Sequence, residues 1–409
     1  MCCNGCSILV TFYINEVVKM TGKERYKNVL SRRPTDCVPV SPDTSNMIPC
    51  RLTGRPFWDI YLYHKIPLWK AYIDCARHFG FDSFVDGSMP YTVVDEKTGR
   101  HYGDFGDVTP RPDEEREEFI VDKNDERIIT RWCTIKNGEH FFDDSCTVYY
   151  RDNPAMYGVS LERAKQPKIP QNPLPVEGKE KELFGPEALK YAMDYVGDSG
   201  FFGVRCGVSS LINNEKEVFE FYDDPTPFYE RREYLLEFYE KRLELILKQD
   251  VLPDFIALGV SGSLIYQTVE TFKELSLPLI KKMSALCKKA GIPTHIHSCG
   301  PEKSLVKIVA EETDVTIIDP LEIPPMGDCD LKELKHLYCD KIVLKGNLHT
   351  TNVMLNGSVQ DVIEASKRAI DDAAEGGGFV LSTGDQCGRD TPDENIFAMV
   401  ETARTYGKY

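Results

Sequence analysis

The sequence lacks an excess of basic residues and lacks a long hydrophobic run. It carries 49 Lys and Arg against 65 Asp and Glu, which gives a formal net charge of -16. Nucleic acids and anionic membranes are bound by concentrated Lys/Arg surfaces, so this balance argues against both as partners. The apolar stretch over residues 7–18 is interrupted by Asn15 and Glu16 and is too short to span a bilayer. We therefore expect no membrane-spanning segment.

The sequence also lacks a disulfide framework and a secretory signal. Its 14 cysteines are spread along the chain without regular spacing, which is typical of a reducing compartment and predicts a cytoplasmic protein. Residues from Met20 to Arg25 open like the start of a capped helix. We therefore interpret residues 1–19 as a non-native or disordered extension and residues 20–409 as the folded unit.

What the chain does have is an alternation of short apolar runs with amphipathic stretches over its last 210 residues, the pattern of repeated βα units. Two further runs near the N-terminus bring the number of predicted strands to the eight that a closed (β/α)8, or TIM, barrel requires. The predicted strands are Val38 to Val40, Phe81 to Val85, Phe201 to Cys206, Asp254 to Val260, Thr294 to His297, Asp314 to Asp319, Lys341 to Lys345 and Phe379 to Ser382.

Between about residues 90 and 187 the pattern changes to charge clusters and strand-like pieces. Asn124-Asp125 and Asn137-Gly138 lie where tight turns belong, which predicts antiparallel hairpins. We interpret this stretch as an insertion over the C-terminal mouth of the barrel. A separate small domain is the alternative.

A cluster of metal-binding residue types follows two of the predicted strands. Alternate side chains of a strand share a face, so His295, His297 and Cys299 can all point inward, and Cys387 follows the last strand. Strand ends converge at the barrel mouth, where zinc prefers nitrogen and sulfur ligands. His297, Cys299 and Cys387 therefore predict one zinc ion with an open fourth position. The alternative is that these cysteines are buried as small hydrophobic residues.

Several segments together resemble the uroporphyrinogen-decarboxylase superfamily, over nearly the whole chain from Met20 except the insertion. They are Thr21 to Arg25, Asp36 to Val40, His297 to Gly300, Lys345 to Asn347, Gly377 to Gly384 and Thr391 to Ile396. The resemblance implies a TIM barrel. In the methyltransferase branch of the superfamily, an H-x-C element and a later cysteine bind zinc, which activates a thiol for methyl transfer to or from a corrinoid on a separate protein. His297, Cys299 and Cys387 stand in those positions, so the resemblance favours this branch and implies a corrinoid protein as partner and a small methylated substrate or thiol.

The decarboxylase branch supplies the alternative function. Its members use no metal and bind propionate-bearing tetrapyrroles through an R-x-x-G-R element and an aspartate. Arg51 and Arg55 fit that element and Asp86 fits the aspartate, so a metal-free decarboxylase of a tetrapyrrole or polyacid remains open. A surface turn at Arg51 and Arg55, and a strand-end turn at Asp86, are the plainer interpretations. A non-catalytic barrel that binds a corrinoid or another ligand is a third possibility.

Three further residues are candidates at the same mouth. Asp319 and Glu322 follow a predicted strand and would supply a fourth zinc ligand or a proton, with helix and turn capping as the alternative. His295 would orient a ligand or a carboxylate and is, with Arg51 and Arg55, a substrate-binding candidate. The chain gives no sign against a homodimer, which we take as the expected assembly.

Overall fold

The structure is a computed structural model that describes residues 19–84, 89, 91–104, 106–111, 115–165, 173–207, 210–259 and 261–408. The predicted N-terminal extension therefore lies almost wholly outside the described residues. The α-helices are α1 (Gly22–Leu30), α2 (Met47–Leu52), α3 (Phe57–Tyr61), α4 (Leu68–Phe79), α5 (Gly185–Val196), α6 (Glu215–Asp223), α7 (Thr226–Ile246), α8 (Val269–Leu275), α9 (Leu277–Ala290), α10 (Lys303–Glu312), α11 (Leu331–Tyr338), α12 (Val359–Ala373) and α13 (Asp393–Thr405), with a π-helix over Thr350–Leu355.

The strands fall into two groups along the chain. The first group is β1 (Val93–Asp95), β2 (Arg100–Gly103), β3 (Gly106–Asp107), β4 (Glu115–Lys123), β5 (Arg127–Lys136), β6 (Glu139–Phe142), β7 (Ser145–Tyr150), β8 (Met156–Ser160) and β9 (Leu174–Pro175). The second group is β10 (Gly203–Arg205), β11 (Phe255–Ala257), β12 (Thr294–His297), β13 (Ile317–Asp319), β14 (Val343–Leu348) and β15 (Phe379–Thr383).

The second group forms a parallel sheet whose strand order follows the sequence, from β10 to β15. Each strand is joined to the next by at least one helix, as parallel pairing requires. The fold is therefore an α/β fold with a parallel sheet. Each strand predicted in this half overlaps an observed one, although β14 begins and ends later than expected because its last residues pair with Ser382 and Thr383 of β15.

Two short segments border this sheet at its edges. Val40 forms a parallel bridge with Leu381 of β15, and Ser83 forms one with Phe201, beside β10. The Asp82 amide donates to the Val40 carbonyl at 2.9 Å, which links the two segments. The predicted strands at Val38 to Val40 and Phe81 to Val85 are thus present as bridges, and Val85 lies outside the described residues.

The two faces of the sheet bury different sets of side chains. Ile256, Ile296, Ile318, Leu344 and Leu381 pack into the main hydrophobic core with the surrounding helices. Their strand neighbours on the opposite face pack against α1 in a second cluster, which comprises Tyr26, Val29, Leu30, Phe201, Phe255, Ala257, Ile317, Val343 and Val380. This alternation fixes the register, because a slip of one residue would exchange the two faces.

The first group of strands lies within the predicted insertion. β1, β2 and β3 form one antiparallel sheet, and β4 to β9 form another in the order β8-β7-β5-β4-β9, with β6 paired to β5. Asn137 and Gly138 join β5 to β6 with φ angles of 52° and 79°, the positive values that a two-residue hairpin turn of type I′ needs. The position of this insertion over the mouth stays a prediction.

No helix in the described part of the chain is long and apolar enough to cross a membrane. All the cysteines that the structure describes are free thiols.

Candidate metal centre

Strand register brings three functional side chains to one face of the sheet. His297 of β12 is the direct partner of Asp319 in β13. Ile318 pairs with Leu344, so Lys345 of β14 lies beside Asp319 in the same row. Because these strands are parallel and in register, an imidazole, a carboxylate and an ammonium group meet at the carboxyl end of the sheet.

Asp319 is the centre of this group and is almost wholly buried. Its Oδ1 lies 2.9 Å from His297 Nδ1 and 2.9 Å from His295 Nε2. Its Oδ2 accepts a hydrogen bond from Lys345 Nζ. Burial alone would raise the pKa of Asp319, but the charge of Lys345, followed by the two histidines, holds it well below its ordinary value. Asp319 is therefore an ionised carboxylate that fixes the orientation of His297.

His297 also lies close to two further carboxylates. Its Nε2 lies 3.7 Å from Asp385 Oδ1. Donor atoms of Asp43, His297 and Asp385 all lie within 4.8 Å of one another, and they are the only such group of three or more His, Cys, Asp or Glu in the part of the chain that the structure describes. Burial acts to lower the pKa of His297, but Asp319 outweighs it and the pKa is raised well above 6.5. A metal ion at Nε2 would displace the proton that this nitrogen carries when the imidazole is charged.

Cys299 lies beside the same imidazole. Hydrogen bonding from His297 is the largest influence on its thiol and lowers its pKa below 9.0, against the opposing effect of burial. Its Sγ also lies 3.2 Å from the hydroxyl of Ser261, within hydrogen-bond range. A thiol with a lowered pKa is a better metal ligand, because the thiolate is the form that binds.

Cys387 is fully buried on the loop after β15 and is tied to Asp43. Its amide donates to the Asp43 carbonyl at 2.8 Å, and its own carbonyl accepts from the Ser45 hydroxyl at 2.8 Å. Burial, with a contribution from Asp43, raises the pKa of its thiol to about 12. The sulfurs of Cys299 and Cys387 do not join His297 in the compact donor group described above. The predicted set of three zinc ligands therefore stays a prediction.

Glu322 also lies next to the site, beside the backbone that follows Cys299. Its Oε2 accepts a hydrogen bond from the Gly300 amide at 2.5 Å, next to Cys299. Burial raises the pKa of Glu322, and Asp385 contributes to the shift. Nearby Glu302 is fully buried, with one carboxyl oxygen accepting from the Leu321 amide at 2.6 Å and the other unpaired. Burial, followed by the charge of Asp319, raises its pKa well above 4.5, so Glu302 is the neutral acid here.

The remaining predicted residues lie in other surroundings or outside the described residues. Arg51 lies in α2 and forms an ion pair with Asp393 at the start of α13. Arg55 is half exposed and pairs with Asp59 at 3.5 Å, one helical turn later. Both contacts fit the surface-turn interpretation, and the turn itself has Gly54 at φ 66°. Asp86 is not among the described residues.

Sequence reasoning missed Asp43, Asp385 and Lys345. Asp43 follows the segment that bridges β15, and Asp385 lies two residues before Cys387. The available signal was their position, since each carboxylate comes just after a predicted strand. Lys345 was included in a predicted strand, where its charge among buried neighbours marked it for pairing.

Comparison with known proteins decides the family of this region. The family model "Uroporphyrinogen decarboxylase (URO-D)" matches residues 262–406, which carry His297, Cys299, Asp319, Lys345 and Cys387. The match covers about a third of the chain and includes these residues of the candidate site. The predicted resemblance to the superfamily is therefore confirmed.

Two relatives of this chain are methyltransferases. The methylcobamide:CoM methyltransferase MtbA of Methanosarcina acetivorans is 29% identical over 137 residues, and MtbA of Methanosarcina mazei is 27% identical over 137 residues. Each match covers 34% of this chain, and the chain spans 37% of the length of each relative. These similarities confirm the likeness to the methyltransferase branch that the sequence predicts.

A solved structure shares the fold of the whole chain. A methyltransferase from Methanosarcina mazei superposes with a TM-score of 0.56 at 16% identity, covering 95% of this chain and 99% of that one. At this identity the likeness shows the fold alone. The comparison therefore supports an overall α/β fold with a parallel sheet.

Proposed function

We propose that this chain is a zinc-dependent methyltransferase that moves a methyl group between a small methylated substrate or thiol and a corrinoid protein. The observation that carries the proposal is the held imidazole of His297. Asp319 occupies its Nδ1, so Nε2 is the nitrogen left to bind a metal at the rim where Cys299 and Cys387 also lie. A histidine held by a carboxylate in this way is a recurrent feature of zinc sites.

The donors present fit a zinc ion. One imidazole nitrogen and two sulfurs are ligand types that zinc prefers, and three protein ligands leave a position for a substrate. The raised pKa of Cys387 does not oppose this assignment, because a neighbouring cation stabilises the thiolate and metal binding releases the proton. Zinc in this position would supply the charge that keeps a bound thiol deprotonated.

The residues of the chain then have separate tasks. In the direction from corrinoid to thiol, the sulfur forms a bond to the methyl carbon, the cobalt–carbon bond breaks, and the electron pair remains on the corrinoid. The proton of the thiol must leave beforehand. Glu322, with a raised pKa and a carboxyl held by the Gly300 amide, is placed to accept it. Asp319 and His295 act as positioning residues, because they orient His297 rather than the reacting atoms.

We also propose that the parallel sheet closes into a (β/α)8 barrel through the segments at Val40 and Ser83, and that the insertion covers its mouth. The bridges of both segments support closure. Arg389, two residues beyond Cys387, donates to the Asp152 carbonyl between β7 and β8 at 2.9 Å, which supports the position of the insertion. The folded unit would then span residues 20–409, and a corrinoid protein would approach from this side.

Metal analysis of the purified protein tests the zinc assignment. We expect about one zinc per chain in the wild type and, with Co²⁺ in its place, a thiolate-to-cobalt band that Cys299→Ser weakens and Cys299→Ser/Cys387→Ser lacks. Cys339→Ser is the matched control, because Cys339 is a free, exposed thiol at the end of α11 and should not affect zinc content. Zinc-free wild-type protein, or a thiolate-to-cobalt band that persists in Cys299→Ser/Cys387→Ser, would refute the assignment.

A methyl-transfer assay tests the reaction. Methylcobalamin serves as the corrinoid probe, and its absorption reports loss of the methyl group when a small thiol is added. We expect demethylation with the zinc-loaded wild type and none with Cys299→Ser. Zinc-loaded protein that leaves methylcobalamin unchanged with every thiol in a panel of aliphatic and anionic thiols would contradict the proposal.

A further inference from the structure

We propose that Asp43, Asp385 and His297 form a second position for a divalent cation. The two carboxylates take the place of the two sulfurs, and the imidazole is common to both positions. These donor atoms lie within 4.8 Å of one another, whereas the sulfurs are outside the group. The inference shares His297 with the proposed zinc site, but it needs neither cysteine and does not depend on methyl transfer. The cation would be one that accepts nitrogen and carboxylate ligands together, such as Mn²⁺, Co²⁺ or Zn²⁺.

The first support is the direction of the imidazole. Asp319 holds Nδ1 at 2.9 Å, and Nε2 is 3.7 Å from Asp385 Oδ1. Metal–ligand bonds of about 2.0–2.2 Å put tetrahedral donors roughly 3.3–3.6 Å apart, so small side-chain adjustments would bring these atoms onto one ion. Asp43, Asp385 and His297, which we call the carboxylate set, are thus already close to the geometry that a cation needs.

The second support is the way in which Asp43 is held. Its amide donates to the Thr383 hydroxyl at 3.0 Å, and its Oδ1 accepts from the Ser45 amide at 2.8 Å. The residue is 4% exposed. A buried carboxylate is costly unless a positive group offsets it. A bound cation would be such a group.

The two donor sets lie on the same rim, so one ion could pass between them. The Asp43 carbonyl accepts from the Cys387 amide at 2.8 Å, which places the carboxylate and the thiol on adjoining backbone. Both sets need His297 Nε2, so they cannot hold two ions at once. Because the donors of the carboxylate set already lie together and the two sulfurs are not part of that group, the carboxylate set would receive the incoming ion first.

Cobalt binding to a variant without the two predicted sulfur ligands tests this inference. In Cys299→Ser/Cys387→Ser we expect one Co²⁺ per chain whose visible spectrum lacks thiolate-to-cobalt charge transfer. Adding Asp43→Asn and Asp385→Asn to that variant should weaken Co²⁺ binding by at least about tenfold. Asp390→Asn is the control, since Asp390 is an exposed acid on the same loop that pairs with Arg389.

The outcomes separate this inference from the proposed function. If Cys299→Ser/Cys387→Ser binds no Co²⁺ while the wild type does, the second position does not exist and the zinc proposal stands. If the wild type shows no thiolate-to-cobalt band but loses Co²⁺ in Asp43→Asn/Asp385→Asn, the sulfur site fails and the carboxylate site stands. Thermal unfolding of each variant identifies misfolding. The single variant Asp385→Asn, at a partly exposed position, repeats the test with the least disturbance.

Discussion

Lys345 is a charged side chain in a strand whose residues are all buried. Its ammonium group pairs with Asp319, and together with His295 and His297 it surrounds that carboxylate with positive or polar groups. Burial acts to lower the pKa of Lys345, but Asp319 outweighs it and raises the pKa above the usual value. The lysine therefore stays charged and keeps Asp319 ionised, which in turn holds His297.

Replacing this lysine should weaken metal binding. In Lys345→Met the ammonium is lost, Asp319 has one fewer stabilising partner, and His297 is held less firmly. We expect zinc affinity to fall about 10–100-fold, measured by competition with a chelator. Breaking a buried pair also costs about 3–5 kcal/mol of unfolding free energy, which chemical denaturation would report.

Two controls separate metal positioning from stability. Lys341→Met removes an exposed lysine just before the same strand and should change neither measurement. The double variant Lys345→Met/Asp319→Asn removes both charges, so we expect stability to recover in part while zinc affinity stays low. Unchanged zinc affinity in folded Lys345→Met would show that the lysine is purely structural.

The residues of the site were predictable to different degrees. His297 and Cys299 follow from the two-residue period of a strand, because their spacing alone puts them on one face. Asp43 and Asp385 lie on loops, where spacing says nothing about direction, and they become neighbours of His297 only through the three-dimensional fold. Arg51 and Arg55 show that a short motif does not fix the partners of its residues, since Arg51 pairs with the distant Asp393 and Arg55 with the nearby Asp59.

At the scale of elements, α1 is held to the sheet by a buried ion-pair network as well as by its apolar face. Arg25 of α1 pairs with Asp36 at 2.7 Å and with Asp82 at 2.5 Å. The apolar residues of the same helix pack against β11, β13, β14 and β15. Because α1 covers the face of the sheet that also carries His297 and Asp319, its attachment supports the base of the site.

The pairing of Arg25 should make α1 attachment sensitive to acid. Burial acts to raise the pKa of Asp36, but Arg25 outweighs it and the pKa lies below 3.8. A lowered carboxyl pKa contributes stability above the unfolded value of about 3.9, and that contribution is lost as the pH falls through the folded value. We expect Arg25→Met to cost about 3–5 kcal/mol at pH 7, and less below about pH 4.

Denaturant unfolding at pH 7 and at pH 3 measures this difference in the cost of Arg25→Met. Lys27→Met is the control on the same helix, since Lys27 is exposed and should change stability by no more than about 0.5 kcal/mol. A cost for Arg25→Met that is equal at pH 7 and pH 3 would show that Asp36 plays no part in it.

The elements of the parallel sheet were more predictable than those at its edges. β11 lies in a continuous apolar run between helices, Phe255 to Leu258, and such runs have few alternatives to a buried parallel strand. The segments at Val40 and Ser83 form only single bridges, and the Val40 amide donates to the Asp82 side chain at 2.8 Å instead of to a strand carbonyl. Apolar pattern alone cannot distinguish such a bridge from a full strand.

At the scale of the whole molecule, the acidic balance of the chain fits the site. The rim around His297 carries Asp43, Asp319, Glu322 and Asp385, and the cationic partners of these acids are Lys345 and the histidines. The local surplus of carboxylates favours a cation over an anionic polyacid. The charge distribution therefore agrees with a metal-dependent enzyme better than with a decarboxylase that must gather arginines around its substrate.

Closure of the barrel makes a prediction about the entire ring of strands. The seam consists of backbone bonds from Ser41 to Leu381 (3.0 Å), from Leu381 to Pro39 (2.9 Å), from Asp82 to Val40 (2.9 Å) and from Phe84 to Phe201 (3.2 Å). If these bonds complete a barrel, opening the seam requires the same cooperative unfolding that exposes the central strands. We expect amide hydrogens in peptides over residues 38–41 and 82–84 to exchange as slowly as those of β12.

The variant Asp82→Asn tests the predicted closure of the barrel more specifically. The Asp82 carboxylate accepts from the Val40 amide and pairs with Arg25 and Arg404, so the variant weakens the seam without touching β12 or β13. Faster exchange should then be confined to the two seam segments and α1, while Asp74→Asn, an exposed acid on α4, changes neither. Wild-type seam peptides that exchange as fast as exposed loops would mean an open sheet, in which the strands still align His297 with Asp319 but no barrel encloses them.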